Sequence, residues 1–512
     1  MKRALLAGLL IAVLALPALA HEERAVTFPS GKGSVPVFRK DGPSLVVCKK
    51  DSLQRTAVYP QKARARNARL FERCRFRNIQ AAIDAVAKRG TRLLVMPGIY
   101  KEKPSLRSPS DRCARLDLGK PLTYVQQKRC PHLENLIAVF GDSDDKGIAC
   151  DGRLCDLQIQ GTGLDAQDVI LDGSYARENV LRADRADGIY LRNFTVQRNS
   201  FNGIYVLQTD GFVIDDVVGR WSDEYGFLTF ASDHGLYKDC EAYGNGDSGV
   251  YPGGVPPQFG ERFSIEIDGC SSHHNLLGYS GTGGNSVYVH DSEFFNNTTG
   301  ISMDSLFPSH PGLPQGHSVF ENNRIYANNE DYYRYYRDGT CDLPSEERGY
   351  EQGVVCPTFG APVGVGILIA GGNHNRFTAN QIYDNWKYGT MQFWIPAWIR
   401  QEYDPDKEFD TSNFNRYDSN LMGLGPDGSS LPNGIDFWWD EEGEGNCWSG
   451  NTAATGDILS DPSVLPTCDP PPPFTTVNGD KFDNLVACSA WSRTNHDPPN
   501  CDWFRQPPQP TR

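Results

Sequence analysis

Asp187-Gly188-Ile189-Tyr190-Leu191-Arg192-Asn193, Asp210-Gly211-Phe212-Val213-Ile214-Asp215-Asp216 and Asp233-His234-Gly235-Leu236-Tyr237-Lys238-Asp239 are three versions of one unit, each 23 residues after the last. The second half of the unit repeats in step, as Gly203-Ile204-Tyr205, Gly226-Phe227-Leu228 and Gly249-Val250-Tyr251. Gly278-Tyr279, Gly300-Ile301, Gly366-Ile367 and Gly389-Thr390 close further units, the last two again 23 apart. Short alternating segments broken by Asn, Asp and Gly read as strands and turns. A unit this short cannot bury its own apolar face. Stacked as coils about 4.8 Å apart, successive units would form parallel sheets around a continuous core. The spacing then predicts columns. Ile204, Phe227, Val250, Tyr279, Ile301 and Ile367 fall in one inward column, and Asn193, Asp216, Asp239, Asp291 and Asn380 in a turn column. Cys240 and Cys270 share a column in adjacent coils, and coil spacing lies within the Cα window of a disulfide. Two buried free thiols are the other reading.

The stretch from about residue 75 to 395 resembles the right-handed parallel β-helix proteins of the pectin-lyase-like superfamily. Residues 76–85, followed by Leu94-Val95-Met96-Pro97-Gly98-Ile99-Tyr100-Lys101-Glu102, look like the N-terminal helix and first strand that open such folds. Gly98, Tyr100 and Glu102 also match the G-x-Y-x-E opening of pectin methylesterases. The resemblance implies an all-β right-handed solenoid with an N-terminal capping helix and disulfide-rich loop insertions. The catalytic signatures of the family's branches are missing. There is no Q-D-T-L or D-F-[IV]-F-G of the esterases, no G-H-G or R-I-K of polygalacturonases, no W-x-D-H or R-x-P-x-x-R of pectate lyases, and no D-P-H-D of alginate epimerases. The fold transfers on this resemblance and the activity does not.

Met1-Lys2-Arg3, an apolar run to Leu19 and Ala18-Leu19-Ala20 read as a cleavable signal peptide over residues 1–20, with the mature protein secreted or periplasmic. An uncleaved anchor is the competing reading; no other stretch reaches the roughly 20 apolar residues of a membrane span. Loss of Lys2 and Arg3 takes the net charge from −14 to −16. Such an acidic chain is a poor nucleic-acid partner. It also lacks a global field for polyanionic sugars. Fourteen cysteines in an exported chain read as disulfides, and none has C-x-x-C zinc spacing. Residues 21–75 read as an irregular N-terminal segment with a basic run at 62–69, and residues 76–395 as the β-helix, interrupted at 103–158 and 330–362. Residues 396–512 read as a cysteine- and tryptophan-rich cap or appendage. Nothing signals self-association, so a monomer is the default.

Insertions mark where a site would lie. Residues 252–261 follow Tyr251 and residues 305–316 follow Asp304, leaving the same corner, while 330–362 leaves the opposite edge of the same strand. Loops on both edges of a sheet would wall a groove suited to an extended polysaccharide. Its floor would carry Tyr251, Ser280, Thr282, Ser302 and Asp304, since rings take apolar sugar faces while hydroxyls and carboxylates take sugar hydroxyls. The same loops would also serve simply to cover sheet edges. Glu224 and Asp247 share a column, so they are expected one coil apart. They would raise one pKa, invite Ca2+, or act as a glycosidase pair, whereas the similar pair Asp216 and Asp239 is explained by turn chemistry alone. His273, His274 and His310 are candidate acid–base groups near neutral pH, although a surface histidine more often does nothing. Arg334 and Arg337, in Tyr332-Tyr333-Arg334-Tyr335-Tyr336-Arg337, would clamp a uronate. The acidic, aromatic stretch 436–448 reads as packing for a cap, with sugar or Ca2+ binding as the alternative. No cofactor motif is present, and Ca2+ is the one ion these carboxylates would invite.

Two functions from different classes follow. One is a polysaccharide-cleaving or -remodelling enzyme of lyase, epimerase or hydrolase type. The other is a non-catalytic glycan-binding or structural surface protein. A metal-handling protein is disfavoured by the lack of Met- or His-rich tracts.

Overall fold

The computed structural model describes residues 24–511 except 118–121, 142–149, 309, 406, 408–411, 455 and 470–477. The expected signal peptide and much of the Pro-rich tail segment lie outside the described residues. The chain divides into two units, residues 22–243 and 244–512 (the latter grouped with 1–21).

In the first unit the 23-residue spacing is the pitch of a parallel β-helix. Ile189–Asn199 lies beside Asp210–Ser222 with Ile189 opposite Phe212 and Leu191 opposite Ile214, and Asp210–Ser222 in turn pairs with Asp233–Lys238. A second sheet stacks Asn135–Phe140, Asn179–Asp184, Asn202–Leu207 and Tyr225–Phe230 in parallel. Its inward column runs Ile137, Leu181, Ile204, Phe227, all fully buried. Residues 44–72, irregular by sequence, contain a strand and a helix. Ser44–Val47 supplies apolar residues that pair with Arg92–Val95, and Gln61–Glu72 is built from good helix formers with its basic side chains mostly towards water. The helix Ile79–Asp84 is capped by Asn78, whose side chain accepts from Ala81 N. On the outward face of the second sheet, Arg24 grips Asp184 through two hydrogen bonds of 2.9 and 2.8 Å, and Arg182 reaches the same carboxylate at 2.9 Å. The chain's own N-terminal arm therefore occupies this face.

The second unit repeats the plan. Ser248–Gly253, Leu277–Thr282, Thr299–Asp304, Val365–Ala370, Tyr388–Phe393 and Ile435–Trp439 are parallel neighbours, with Val250, Tyr279, Ile301, Ile367, Thr390 and Phe437 in one column. The ladders pass residue 395 and end at Ser460–Asp461. The stretch 436–448 thus contributes coil strands, and Trp438, Trp439 and Trp448 are buried in them. Another sheet stacks Ile265–Asp268, Val287–His290, Val319–Glu321, Arg376–Thr378, Arg416–Asp418 and Cys447–Ser449.

The turn column works through left-handed backbone. Asn193, Asp216, Asp239 and Asp291 all have φ between 48° and 55°, and short polar side chains tolerate that region best. Asn380 is one residue out of this column: Ala379 takes the left-handed position. Asn380 instead points inward, into a hydrogen-bonded file of amides. Asn323, Asn380, Asn420 and Asn451 each donate to the next at 2.9–3.0 Å. A longer file runs Asn245, Asn275, Asn297, Asn328, Asn385, Asn433 at 2.8–3.2 Å. These amides satisfy buried polar groups that the bends would otherwise strand.

Disulfides pin the insertions: Cys113–Cys130 and Cys150–Cys155 in the first, Cys341–Cys356 in the 330–362 loop. Cys48–Cys74, Cys447–Cys468 and Cys488–Cys501 secure the ends, and Cys240 and Cys270 are also disulfide-bonded, so no cysteine is free. Among the described residues no helix is long and apolar enough to cross a membrane.

Candidate functional site

Strand alternation turns every second residue of the sheet containing Leu277–Thr282 away from the core. Ser280 faces Ser302 and Thr282 faces Asp304 in adjacent strands, while Tyr279 and Ile301 point inward. Tyr251 holds the corresponding outward position one strand earlier, directly after the inward Val250. The loops that follow Gly253 and Asp304 stack on the same corner, since Gly254 N donates to Thr282 O and Gly283 N to Asp304 O. The second loop carries His310 over this row: its Nε2 lies 3.4 Å from Tyr251 Oη, with Phe307 beside the ring at 5.9 Å. Tyr251, Ser280, Thr282, Ser302, Asp304 and His310 are each no more than 5% exposed.

Burial sets the protonation of this group. Asp304 Oδ2 accepts from the Thr282 hydroxyl at 2.6 Å and Oδ1 from Leu306 N at 3.1 Å. Burial still pushes the Asp304 carboxyl up to about 6 against those two bonds. Burial pushes the His310 imidazole down to about 4, so it is neutral at physiological pH. The row therefore combines a carboxyl that exchanges its proton in mild acid, a neutral imidazole next to a phenol, and three hydroxyls. Those are the parts of acid–base chemistry on a hydroxylated ligand.

The other candidates stand elsewhere. Glu224 precedes the strand Tyr225–Phe230 in the first unit, its N–H donating to Phe201 O. Asp247 belongs to the second unit, where its Oδ2 accepts from Thr358 Oγ1 at 2.9 Å and so ties the 330–362 loop to its coil. His273 and His274 are at the end of Ser271–His273, on a different sheet, with their Nδ1 atoms 2.7 Å apart. The His273 ring stacks on Phe295, which stacks on Tyr326, which stacks on Tyr383, at 4.8–5.0 Å. Rings piled in this way staple successive coils together. Arg337 is engaged structurally: it donates to Phe504 O at 3.0 Å and pairs with Asp331. Arg334 is half exposed, with its guanidinium over the Tyr335 ring at 4.9 Å and Glu330 at 3.8 Å. Tyr333 and Tyr336 are loop core, since Tyr333 packs on Trp491 and Phe504, and Tyr336 on Trp491.

Among the described residues, one group has ligand atoms close enough to share an ion: Glu266, Asp268 and His290, within 4.8 Å of one another on neighbouring strands. Glu224 and Asp247 are not in it. His290 Nε2 is 3.0 Å from Glu266, and Tyr288 stacks on its ring at 4.4 Å.

Residues 202–393 match the family model for a right-handed beta helix region. The matched coils, like the ladders around them, have the right-handed parallel β-helix fold. Among solved structures, a pectate lyase is 13% identical over 85% of this chain and 80% of its own, with a TM-score of 0.36. The A-module of an Azotobacter vinelandii mannuronan C-5 epimerase is 13% identical over 78% and 95%, with a TM-score of 0.42. An alginate lyase from a Paenibacillus species is 12% identical over 74% and 94%, at 0.35. No curated protein matches the sequence. Likeness at this level says nothing about the reaction.

Within the β-helix, Thr358 on Asp247 and Phe307 beside His310 were not foreseen, because both depend on how irregular loops fold back. Glu266, Asp268 and His290 did leave a signal. Glu266-Ile267-Asp268 and Tyr288-Val289-His290 alternate polar and apolar residues 22 positions apart, and that places the polar residues side by side on an outer face.

Proposed function

We propose that this protein is an exported β-helix protein that binds a polysaccharide across the row Tyr251, Ser280, Thr282, Ser302 and Asp304, and cleaves or remodels it. The observation that carries this reading is the outward burial of a carboxyl, an imidazole and a phenol together with three hydroxyls beneath two stacked loops. Core packing has no need of such groups, and burying them costs free energy that apolar residues would not. Asp304 is the acid–base carboxyl, and the neutral His310 with Tyr251 is the second proton-handling pair. The disulfides and the signal-like residues 1–20 support an oxidising compartment outside the cytoplasm.

A non-catalytic glycan-binding role is the second reading, favoured by the engagement of Arg337 with Asp331 and Phe504, which leaves it unsuited to clamping a uronate. The test is turnover of the mature, oxidised protein on a polysaccharide panel with and without Ca2+. Reducing ends or unsaturated products that vanish in Asp304→Asn and His310→Gln support the enzyme. Binding without any product supports the second reading.

A further inference from the structure

Residues 263–323 contain no lysine and no arginine. They supply the two central strands of the row, Leu277–Thr282 and Thr299–Asp304, the loop that carries His310, and five strands of the neighbouring sheet. The same stretch holds six carboxylates: Glu266, Asp268, Asp291, Glu293, Asp304 and Glu321. Extending it back to residue 239 adds one cation, Arg262, whose guanidinium donates to Phe263 O at 3.1 Å. The three arginines of the 330–362 loop do not change this balance: Arg348 donates to Leu343 O at 2.8 Å within the loop itself. Arg337 is held by Asp331 and the Phe504 carbonyl, and Arg334 stands against Glu330 and the Tyr335 ring.

From this distribution we infer that the ligand of the row is a neutral glycan and not a polyuronate or sulfated chain. The inference rests on the polysaccharide reading above and names the substrate class within it. A carboxylated sugar laid on Ser280, Ser302 and Thr282 would approach Asp304 with nothing cationic on its own strands to balance it. Like charges at such separations repel strongly where water is excluded. Hydroxyl groups meet complementary partners instead. Ser280, Ser302, Thr282 and Tyr251 donate and accept, His310 Nε2 does one or the other according to its tautomer, and Asp304 accepts when ionised and donates when protonated. A neutral chain also presents the apolar sugar faces that the partly exposed Phe307 ring suits.

The experiment is equilibrium binding of the full mature protein to neutral glycans (a β-glucan, a xylan, a mannan) and acidic ones (polygalacturonate, alginate). Each is measured by affinity electrophoresis and calorimetry from about 20 to about 200 mM NaCl. The expected result is retention by at least one neutral glycan, with affinity changing less than about twofold across that range. Tyr251→Phe and Ser302→Ala should each weaken binding, by tenfold or so when combined, with the melting temperature of each variant showing that the fold persists. Binding confined to acidic glycans and steeply weakened by salt would overturn the neutral class while leaving the polysaccharide reading in place. Failure of every glycan to bind would remove the polysaccharide reading and this inference with it.

Discussion

Thr282 donates its hydroxyl hydrogen to Asp304 across one coil at 2.6 Å, and both side chains are buried. The bond stabilises the ionised carboxylate, yet burial wins and Asp304 titrates at about 6. Thr282→Val removes a charge-assisted hydrogen bond worth roughly 1.5–3 kcal/mol. The Asp304 midpoint should then move up by about one to two pH units. Carboxyl carbon NMR, or the acid limb of an activity profile, reads this directly, and an unmoved midpoint would show that Thr282 does not control Asp304. The sign for stability follows. The folded carboxyl binds its proton more tightly than the unfolded one, so its contribution is greatest below 3.8 and is lost as pH rises through about 6.

His310 acts in the opposite direction. Its pKa falls from 6.5 to about 4 on burial, so the unfolded state binds more protons between those values and stability rises with pH there. His290 is held above 6.5: burial opposes the charged ring, but hydrogen bonds to Asp291 and Glu266 outweigh it. Histidine NMR should therefore find the His310 midpoint near 4 and that of His290 above 6.5. If His310 titrates like a free imidazole, the loop does not bury it in solution.

Removing the Cys341–Cys356 bridge as a double serine variant releases a 15-residue closure. The expected loss is about 3 kcal/mol in guanidinium unfolding under oxidising conditions. Because Thr358 of this loop donates to Asp247, and Tyr333 packs against Trp491, tryptophan fluorescence should shift as well. A variant with unchanged stability and fluorescence would mean that packing alone fixes the loop.

Asn328→Ala tests the amide file. Asn328 donates to Phe294 O and Asn385 Oδ1, and accepts from Asn297. Its loss leaves buried partners on both sides unpaired, at roughly 2–5 kcal/mol. Denaturant unfolding measures it; a cost below about 1 kcal/mol would mean that water replaces the amide.

The columns were legible because the coil repeat is nearly rigid: a 23-residue step places Ile204 under Phe227 without knowledge of any loop. The same arithmetic missed the turn by one residue at Asn380, since Ala379 gives no side-chain cue to its left-handed backbone. The amide files were also overlooked, although Asn275 and Asn297 each stand three residues before a strand glycine, a repeat as regular as the apolar one. The run from Tyr332 to Arg337 looked like a ligand clamp because aromatics and arginines are chemically suited to both tasks. Contacts with the distant Trp491 and Phe504 engage Tyr333 and Arg337 in packing, which spacing along the chain does not reveal. The row at Thr282 and Asp304 followed from alternation, whereas its near-complete burial under the loops did not.

The amide files also bear on how the molecule ages. An asparagine followed by glycine is the dipeptide most prone to deamidate, because the next backbone nitrogen easily swings onto the side-chain carbonyl carbon. This chain has four such pairs, at 202–203, 245–246, 433–434 and 478–479. Asn202 donates to Asn179, Asn245 to Asn275, Asn433 to Ile382 O and Asp436, and Asn478 caps a helix. In each, the attack geometry requires breaking a hydrogen bond already in place. Peptide mapping after prolonged storage should find these sites intact while the protein stays folded and degraded first once it unfolds, so the ladder that sets coil register also sets chemical lifetime.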